Sequence, residues 1–464
     1  MLSSTSFFQE LCAAKLSSTS RVLTDSTDKA FQQCLLRWSD IGRSTPGAIV
    51  LAGSEDDVVT VVSLAIKNSV PFVVCSGGHS LWSTIGSEGF ILDVRDLKNI
   101  SVDDASNQIT LQSGILISEA NEFAWKHDIC LPLGTANTAG VIPMALGGGL
   151  STFSGIMGYT SDNIVAAKMV SASGTLIRVS STENSEFLYA LRGAGQIFGV
   201  VTEITLQAYP ISILGTSDGT VWTGALIFPV TQAEKVYSIL TALSVNTEAP
   251  TMGICIVTST PPSFNTSLIV IPVYFGEAKD AEDHYRSLLD LRPFSTCGNV
   301  PYPKINDAGE AFGVKGGFKR WAGAGLKRIN VDDWMKVISI YEKLKISCPD
   351  AVPTGYAIEW NAYAPQEKRT NFEETSFGHR DVHMWAELLS WFTVSESHDQ
   401  VIRSEAEVIK LLCQTESTEP RSVYQNWTRD APLEHMYPGS ERLERLKALK
   451  KKWDPNGIFT SLFL

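Results

Sequence analysis

The stretch Val73–Ser80, VVCSGGHS, decides the fold of this chain, because an apolar run stops there at two glycines and a histidine. The run PFVVC (71–75) predicts a buried strand. Gly77 and Gly78 allow a positive φ and let another group approach the backbone closely. His79 follows at the end of the strand, outside any periodic pattern. The stretch therefore indicates a ligand site, and the alternative is a histidine in an ordinary turn.

The residues before this stretch predict a β-α-β unit. GAIVLA (47–52) is an apolar run of strand length, and Ser54 then precedes three acidic residues, as at the start of a helix. Apolar residues at helical spacing continue to about Asn68. In α/β sheets ligands bind beyond the carboxyl ends of strands, which is where His79 falls.

Length and charge exclude several classes of protein. The chain has 464 residues, a formal net charge of −12 and a pI near 5.2. The length suggests two or three domains, and the acidic balance argues against nucleic acid and anionic membranes as partners. Eight scattered cysteines without metal-binding spacing predict neither a metal site nor a disulfide framework. No signal peptide and no membrane-spanning run is recognised, so a cytoplasmic protein is expected.

Two later segments are rich in glycine. In the first, 134–164, we predict a loop that approaches a ligand closely around Gly147–Gly149, and a flexible linker is the alternative. The second, 193–199, lies between a predicted helix and a predicted strand. Neither its spacing nor its direction matches the nicotinamide fingerprint, so a nicotinamide site is disfavoured.

Beyond Pro210 the glycine loops give way to longer segments. The predicted strands are 225–230, 253–259, 268–276 and 356–364, and the predicted helices are 231–245, 279–291, 331–347 and 396–414. A sheet covered by helices is the simple packing solution for such a series. These segments predict a second domain over 211–415.

Four segments occur in the order and at the spacings of one enzyme family. They are CSGGHS (75–80), GTANTAGVIPMALGGGLS (134–151), ALRGAGQIFGVVTEITLQAYP (190–210) and KKWDPNGIF (451–459). In them the chain resembles FAD-linked oxidoreductases similar to the berberine bridge enzyme, of the vanillyl-alcohol oxidase type. The resemblance implies an α+β fold with a two-part FAD-binding domain over 1–210, whose core is 40–210. It also implies a substrate domain over 211–415, built on an antiparallel sheet covered by helices, and a C-terminal segment, 416–464, that completes the FAD-binding domain.

The same resemblance implies that FAD is held covalently through His79, since a neutral imidazole is a good nucleophile toward the 8-methyl carbon of the flavin. Many relatives have a second link through a cysteine where this chain has Ala136, so we predict a single link. The implied cofactor-binding residues are Cys75, Ser76, Gly77, Gly78, His79, Ser80, Gly134, Asn137, Thr138, Gly140, Val141, Gly147, Gly148, Gly149, Ser151, Gly195, Val200, Val201 and Asn426.

The C-terminal segment departs from the family pattern. Where relatives commonly read Tyr-x-Asn-Tyr, this chain has Tyr424-Gln-Asn426-Trp427, and the indole of Trp427 cannot ionise. If the missing phenol is the base of the sugar-oxidising relatives, this chain does not use it. The departure argues against a carbohydrate oxidase.

Oxidation by a flavin usually needs a base, and four residues are candidates. Glu359 lies in YAIEWNAYA (356–364), where aromatic neighbours would raise the pKa of its carboxyl; alternatively, strand alternation points it to solvent. His379, in SFGHRDVH, resembles a feature of the family's substrate domain, and a structural role is the alternative. Tyr159 and Tyr363 complete the candidates, and core packing is the alternative for Tyr159.

These residues predict an FAD-dependent oxidase that acts on a hydrophobic small-molecule intermediate of secondary metabolism. Hydride would pass to flavin N5, and O₂ would take the electrons. The alternative is a cyclase or pericyclase that uses the same pocket without net redox chemistry, by positioning alone. A monomer or a weak homo-oligomer is expected.

Overall fold

The computed structural model describes residues 4–245, 249–361, 374–416, 421–427 and 431–460. Within them, three β-sheets of four, five and nine strands pack with helices, and a separate ladder has two strands. The fold is mixed α+β, as predicted. None of the helices in the described ranges is long and apolar enough to cross a membrane, and these ranges contain no cluster of side chains that could hold a metal ion.

The first sheet carries the VVCSGGHS stretch. Its elements are α1 Ser4–Ala13, β1 Arg21–Leu23, α2 Lys29–Leu35, β2 Ala48–Leu51, α3 Glu55–Asn68, β3 Phe72–Cys75 and β4 Phe90–Asp93. The strand order is β1-β2-β4-β3, with β2, β4 and β3 parallel. The Ser54 side chain accepts a hydrogen bond from Asp57 N at the start of α3. The predicted β-α-β unit is confirmed, and β1 is an additional strand that the sequence analysis does not predict.

The second sheet is antiparallel and contains the glycine-rich segments between its strands. Its elements are β5 Ile100–Asp103, β6 Gln108–Gln112, α4 Ile117–Trp125, β7 Ile129–Cys130, α5 Val141–Leu146, α6 Ser154–Met157, β8 Ile164–Val170, β9 Leu176–Val179, α7 Ser185–Ala194, β10 Val200–Gln207 and β11 Tyr209–Pro210. The order is β5-β6-β10-β8-β9, and β7 pairs with β11. Helix α5 ends at Gly147, where Gly148 and Gly149 have φ values of 113° and 76°. The glycine run is therefore a turn and not a flexible linker, and the predicted close approach to a ligand at these glycines stays a prediction.

The third sheet is the largest. Its elements are β12 Thr220–Thr223, β13 Leu226–Pro229, α8 Ala233–Ser244, β14 Thr251–Ser259, β15 Thr266–Tyr274, α9 Ala278–His284, α10 Arg286–Leu289, β16 Phe294–Ser295, β17 Gly298–Pro301, β18 Phe318–Leu326, α11 Val331–Ser347, β19 Gly355–Asn361, β20 Met384–Phe392 and α12 His398–Glu416. The main order is β16-β13-β15-β14-β19-β20-β18, and β12 pairs with β15 and β17. All these pairings are antiparallel, which confirms the predicted sheet.

The two faces of this sheet have different surroundings. On β19, Tyr356, Ile358 and Trp360 belong to the apolar core that the sheet shares with its helices. The alternate residues Ala357 and Glu359 face a cavity on the other side. Because of this alternation Glu359 is only 6% exposed, so the predicted alternative of a solvent-facing carboxylate is wrong.

Two neighbouring strands, β20 and the edge strand β18, are missing from the sequence predictions. β18, FKRWAGAGL, mixes charged residues with glycines, which hides its strand character. A Cβ at Gly323 would lie 2.4 Å from the Ala386 carbonyl oxygen and 2.6 Å from the Trp427 ring, so packing requires glycine there. β20, MWAELLSWF, is buried along almost its whole length and shows no alternation. The predicted helix 279–291 is in fact two short helices, α9 and α10.

The C-terminal segment returns to the first half of the chain through α13 Leu433–Met436 and α14 Ser440–Trp453. The Lys450 Nζ atom donates to the Ile197 carbonyl oxygen at 2.6 Å. The Trp453 ring packs on Phe187 with 4.6 Å between centroids. These contacts tie the last helix to the α7 region of the second sheet.

Candidate active site

Two cavities meet at His79. The long cavity runs along the loop after β3, the loop after β7 and the start of β10. The sheet cavity lies under the open face of the nine-stranded sheet. The residues that line both cavities are His79, Thr135, Ala136, Trp321, Glu359 and Glu387. A molecule in one cavity would therefore touch a molecule in the other at these side chains.

The loop Ser76–Ser80 forms one wall of the long cavity. A Cβ at Gly77 would lie 2.6 Å from the Thr138 carbonyl oxygen and 2.7 Å from Gly140 N, so the two cavity loops touch through their backbones. Ser76 Oγ donates to the Ser113 carbonyl oxygen at 2.6 Å. Gly77 thus lets the loop after β3 approach the backbone of the Thr138–Gly140 segment closely. This contact keeps His79 at a fixed distance from the opposite loop.

His79 is held as a neutral imidazole. Its Nε2 lies 2.7 Å from Thr138 Oγ1, and its ring stacks on Trp38 with 6.0 Å between centroids. Burial, together with the charges of Lys315 and Lys319, lowers the pKa of His79 to about 4. At neutral pH one ring nitrogen therefore carries a lone pair.

Glu359 and Glu387 form a buried carboxyl pair. In the sheet register Glu387 lies opposite Ala357, so the two glutamates are diagonal neighbours on the cavity face. Their carboxyl groups hydrogen-bond each other, and Asn361 Nδ2 donates to Glu359 Oε1 at 2.8 Å. Burial raises the pKa of both groups, and the charge of Glu359 raises that of Glu387 further. The hydrogen bond between two carboxyl groups requires a shared proton, and Glu387, whose pKa is raised further, holds it more tightly than Glu359.

The sheet cavity is mainly apolar. Besides the two glutamates, its wall under the sheet includes Met252, Ile254, Ile256, Ile271, Val273 and Leu389. The far side is closed by the segment 306–313, in which the Phe312 carbonyl oxygen accepts from Trp38 Nε1 at 2.7 Å. Asn137 Nδ2 donates to Asp307 Oδ1 at 3.0 Å, which ties this segment to the glycine-rich loop.

Two of the predicted catalytic residues lie outside both cavity linings. Tyr159 packs on Phe377 with 4.7 Å between centroids and donates to the His379 carbonyl oxygen at 3.4 Å. His379 is fully buried, with Nε2 3.0 Å from the Met436 carbonyl oxygen. Both belong to the packing behind the site. Tyr363 lies outside the described residues.

The predicted cofactor-binding residues fall into three groups. Ser76, Gly77, Gly78, His79, Ser80, Gly134, Gly140, Val200, Val201 and Asn426 line the long cavity. Asn137 and Thr138 line the sheet cavity. Cys75, Val141, Gly147, Gly148, Gly149, Ser151 and Gly195 are in neither lining. A Cβ at Gly147 would lie 1.9 Å from Asn426 Oδ1, so at least this glycine acts by letting Asn426 approach.

The sequence analysis overlooks three side chains of the site. Glu387 and Trp321 lie on the two strands that it does not predict. Tyr424 lines the long cavity, and its hydroxyl oxygen accepts from Gly149 N at 3.0 Å and from Asn426 Nδ2 at 2.7 Å. A carboxylate within the apolar run MWAELLSWF is the signal that could have revealed Glu387, as the same kind of signal revealed Glu359.

Comparisons with known proteins show what this chain is similar to in sequence and fold. A family model described as FAD binding domain matches residues 46–180. An FAD-linked oxidoreductase of Aspergillus fumigatus is 29% identical, over 95% of this chain and 96% of the relative.

Three solved structures share the fold. BBE-like 1 of Physcomitrella patens has 19% identity and a TM-score of 0.82, covering 98% of each chain. 6-Hydroxy-D-nicotine oxidase of Arthrobacter nicotinovorans has 23% identity and a TM-score of 0.82, covering 96% of this chain and 98% of that one. Glucooligosaccharide oxidase of Acremonium strictum, described with a 6-S-cysteinyl, 8α-N1-histidyl FAD, has 20% identity and a TM-score of 0.79, covering 99% of this chain and 98% of that one.

Proposed function

We propose that this chain, which matches an FAD binding domain over residues 46–180 and is similar to FAD-linked oxidoreductases, is an oxidase of a hydrophobic small molecule, with Glu359 as the base. The observation that carries this proposal is the buried Glu359–Glu387 pair, which faces the junction of the two cavities beside His79. The long cavity would hold FAD, and the sheet cavity would hold the substrate.

The residues of the long cavity fit a dinucleotide. Ser113 lines it, is 2% exposed, and its Oγ has no hydrogen-bond partner among the described residues, so a bound polar group would satisfy it. The loop Gly77–Ser80 offers backbone N–H groups for the pyrophosphate. Phe72 and Phe459 meet edge to face at 6.1 Å and provide an apolar end for a base ring. The contacts of α14 support a division into 1–210, 211–415 and a C-terminal segment, 416–464, that completes the FAD-binding domain.

We further propose a single covalent link, between His79 and FAD. The related glucooligosaccharide oxidase is described with both a histidyl and a cysteinyl link. Here His79 is neutral and stands in the cavity, whereas Ala136 lines the opposite loop without a thiol. A methyl group cannot form the second link.

The carboxyl pair supplies the proton chemistry. FAD, when bound, would accept a hydride at N5 and pass two electrons to O₂. Glu359 would take the proton that the substrate loses with the hydride, and it is a stronger base because burial raises its pKa. Glu387, in its protonated form, would donate a hydrogen bond to Glu359. The pair would then carry one negative charge instead of two. The apolar walls would exclude water from the reacting atoms.

The lining favours a lipophilic substrate over a sugar. Oligosaccharides need several hydrogen-bonding side chains, and the wall under the sheet presents isoleucine, valine, leucine and methionine instead. The glucooligosaccharide oxidase is about 20% identical to this chain, so the likeness indicates a shared fold and not a shared substrate. The Aspergillus fumigatus relative is likewise an FAD-linked oxidoreductase, which supports redox chemistry, and an intermediate of secondary metabolism as the substrate is part of our proposal. The cyclase alternative has less support, because positioning alone would not need a buried base.

Anaerobic reduction of the FAD-loaded protein tests this function. We expect at least one of a panel of lipophilic benzylic and allylic alcohols to bleach the flavin absorbance, and cellobiose to leave it unchanged. Glu359→Gln should slow bleaching about 100-fold or more, because a positioned base contributes about 10²–10⁴-fold. The control Glu407→Gln changes an exposed carboxylate on α12 and should have no effect. Bleaching by cellobiose alone, or equal rates for both variants, contradicts the proposal, and conversion without bleaching supports the cyclase.

A further inference from the structure

We propose that Arg37 and Lys315 attract the diphosphate of FAD electrostatically, from behind the loop Gly77–Ser80. The inference rests on the proposed FAD site in the long cavity and deepens it. Backbone N–H groups of the loop would contact the phosphate oxygens, and the two cations would balance their negative charge.

Arg37 is a buried cation whose described partners are all carbonyl oxygens. The residue is 3% exposed. Its Nε donates to the Ser83 carbonyl oxygen at 2.9 Å, and its Nη1 donates to the carbonyl oxygens of Cys34 at 2.8 Å and Leu36 at 3.1 Å. Its Nη2 has no hydrogen-bond partner among the described residues. A guanidinium keeps its charge at any physiological pH, and a buried charge is costly unless an opposite charge accompanies it. The environment of Arg37 therefore favours a bound anion.

Arg37 lies against the loop that lines the long cavity. A Cβ at Gly78 would lie 3.5 Å from Arg37 Cδ, and Trp38 N donates to the Gly78 carbonyl oxygen at 2.8 Å. Gly78 and Ser83, which Arg37 contacts, line the long cavity and not the sheet cavity. The charge of Arg37 thus acts on the side of the site where FAD is proposed to bind, through the backbone of the loop.

Lys315 is a second cation at the same glycine. A Cβ at Gly78 would lie 3.8 Å from Lys315 Nζ. The chain beside Lys315 is attached to the chain at Arg37, because Gly316 N donates to the Arg37 carbonyl oxygen at 3.0 Å. After burial, the charge of Lys315 is the next cause that lowers the pKa of His79, so its field reaches the cavity lining. Two distant parts of the sequence therefore place their cations side by side.

The buried carboxylate of this region is already paired. Asp93, at the end of β4, is fully buried, and Arg95 donates to both of its oxygens, from Nε at 2.8 Å and from Nη2 at 2.6 Å. Burial lowers the pKa of Lys315, the charges of Arg95 and Arg37 lower it further, and Asp93 opposes this shift less strongly. The Asp93–Arg95 pair carries no net charge, so Arg37 and Lys315 leave an excess of positive charge behind the loop. An anion in the cavity would offset the repulsion between them.

The diphosphate is the group of FAD that fits this charge. The oxidised flavin ring and the adenine are uncharged, whereas the diphosphate is an anion at neutral pH. A layer of protein backbone screens a charge less than water does, so the attraction of these cations reaches further than that of a surface lysine. Removal of one cation should therefore weaken FAD binding, and added salt should reduce the difference.

Equilibrium binding of FAD tests these charges. All variants carry His79→Ala, so that no covalent link conceals the affinity, and the dissociation constant is measured by flavin fluorescence at low and at high salt. We expect Lys315→Met to weaken FAD binding by about tenfold at low salt and by less at high salt, where counter-ions screen the charge. Lys315→Arg keeps the charge and should stay within about threefold of the parent. The control Lys235→Met removes an exposed lysine on α8 and should change nothing.

The outcomes separate this inference from the proposed FAD site. If neither wild type nor the His79→Ala parent binds FAD, the site itself fails, and the inference fails with it. If the parent binds FAD and Lys315→Met binds it equally well at low salt, the role of the charge is overturned while the site stands. Equal weakening by Lys315→Met and Lys315→Arg at both salt concentrations overturns it too, because the side chain would then act by packing. Arg37→Met should weaken binding with the same salt dependence; if its melting temperature shows that it is misfolded, the Lys315 variants decide.

Discussion

At the scale of single residues, the Glu359–Glu387 pair, which shares a proton, makes the stability of this protein depend on pH. Burial and the charge of Glu359 raise the pKa of Glu387 well above its ordinary value. The unfolded chain releases that proton near pH 4.3, whereas the folded protein keeps it to higher pH. Between the two pKa values the folded state binds more protons, so the free energy of unfolding falls as the pH rises.

Glu387→Gln removes this titration while it keeps a hydrogen-bond donor beside Glu359. We expect the variant to gain stability relative to wild type as the pH rises from 4 to 8, because only wild type then retains a proton that its unfolded chain has released. At pH 4 the two proteins should have nearly equal melting temperatures. The exposed control Glu407→Gln should show no such difference, and an equal gain for Glu387→Gln at both pH values would contradict the shared proton.

The residues of the site differ in how far the sequence predicts them. Glu359 and the loop with His79 are identified because each breaks a local pattern: a carboxylate in an apolar strand, and a histidine after two glycines. The pairing of Glu359 with Glu387 depends on the register of β19 and β20. This register cannot be predicted from the local sequence of either strand. Likewise, the hydrogen bond between the His79 and Thr138 side chains joins two distant loops.

At the scale of elements, the glycines of β18 link packing to the site. Gly323 lies on this strand opposite Glu387, and the Trp427 ring occupies the space that a side chain at Gly323 would take. We expect Gly323→Ala to lower stability by about 1–3 kcal/mol through overpacking, and to displace Trp427 from the long cavity. Gly298→Ala on β17 is the matched control, because a Cβ there meets nothing within 4 Å. Thermal melts of both variants check this, and equal melting temperatures would refute it.

The same strands mark the limit of prediction from periodicity. Helices α3 and α11, with their Ser54 and Asn330 caps, follow rules of local sequence, and they are found within a residue or two of the predicted bounds. β18 and β20, which both contribute side chains to the sheet cavity, do not follow the alternation rule. Glycine at 323 makes room for an indole, and both faces of β20 are buried. Functional demands thus remove the signal that would reveal these strands.

At the scale of the whole molecule, the long cavity is completed by the end of the chain. The side chain of Asp454 accepts from Ile458 N at 2.7 Å and from Phe459 N at 3.1 Å, which folds the chain so that Phe459 reaches Phe72 at the cavity's end. Lys450 is bonded to Asp454 at 2.7 Å, and both side chains are fully buried. The four resembling segments predict that this tail belongs with the first half of the chain, but they do not predict the ion pair that holds it there.

The Lys450–Asp454 ion pair holds the C-terminal tail that closes one end of the long cavity. Lys450→Met would leave the Asp454 carboxylate and the Ile197 carbonyl oxygen without their buried partner. Since breaking a buried pair from one side costs about 3–5 kcal/mol, we expect a large loss of stability and weaker retention of FAD at the Phe459 end. Lys452→Met, on the same helix, removes an ion pair with Glu186 whose lysine side chain is 58% exposed, and should cost about 0–1 kcal/mol. Urea midpoints compare the two variants, and FAD release rates are measured with His79→Ala added to each so that no covalent link retains the flavin. Similar losses in both would mean that the tail is held by its apolar contacts instead.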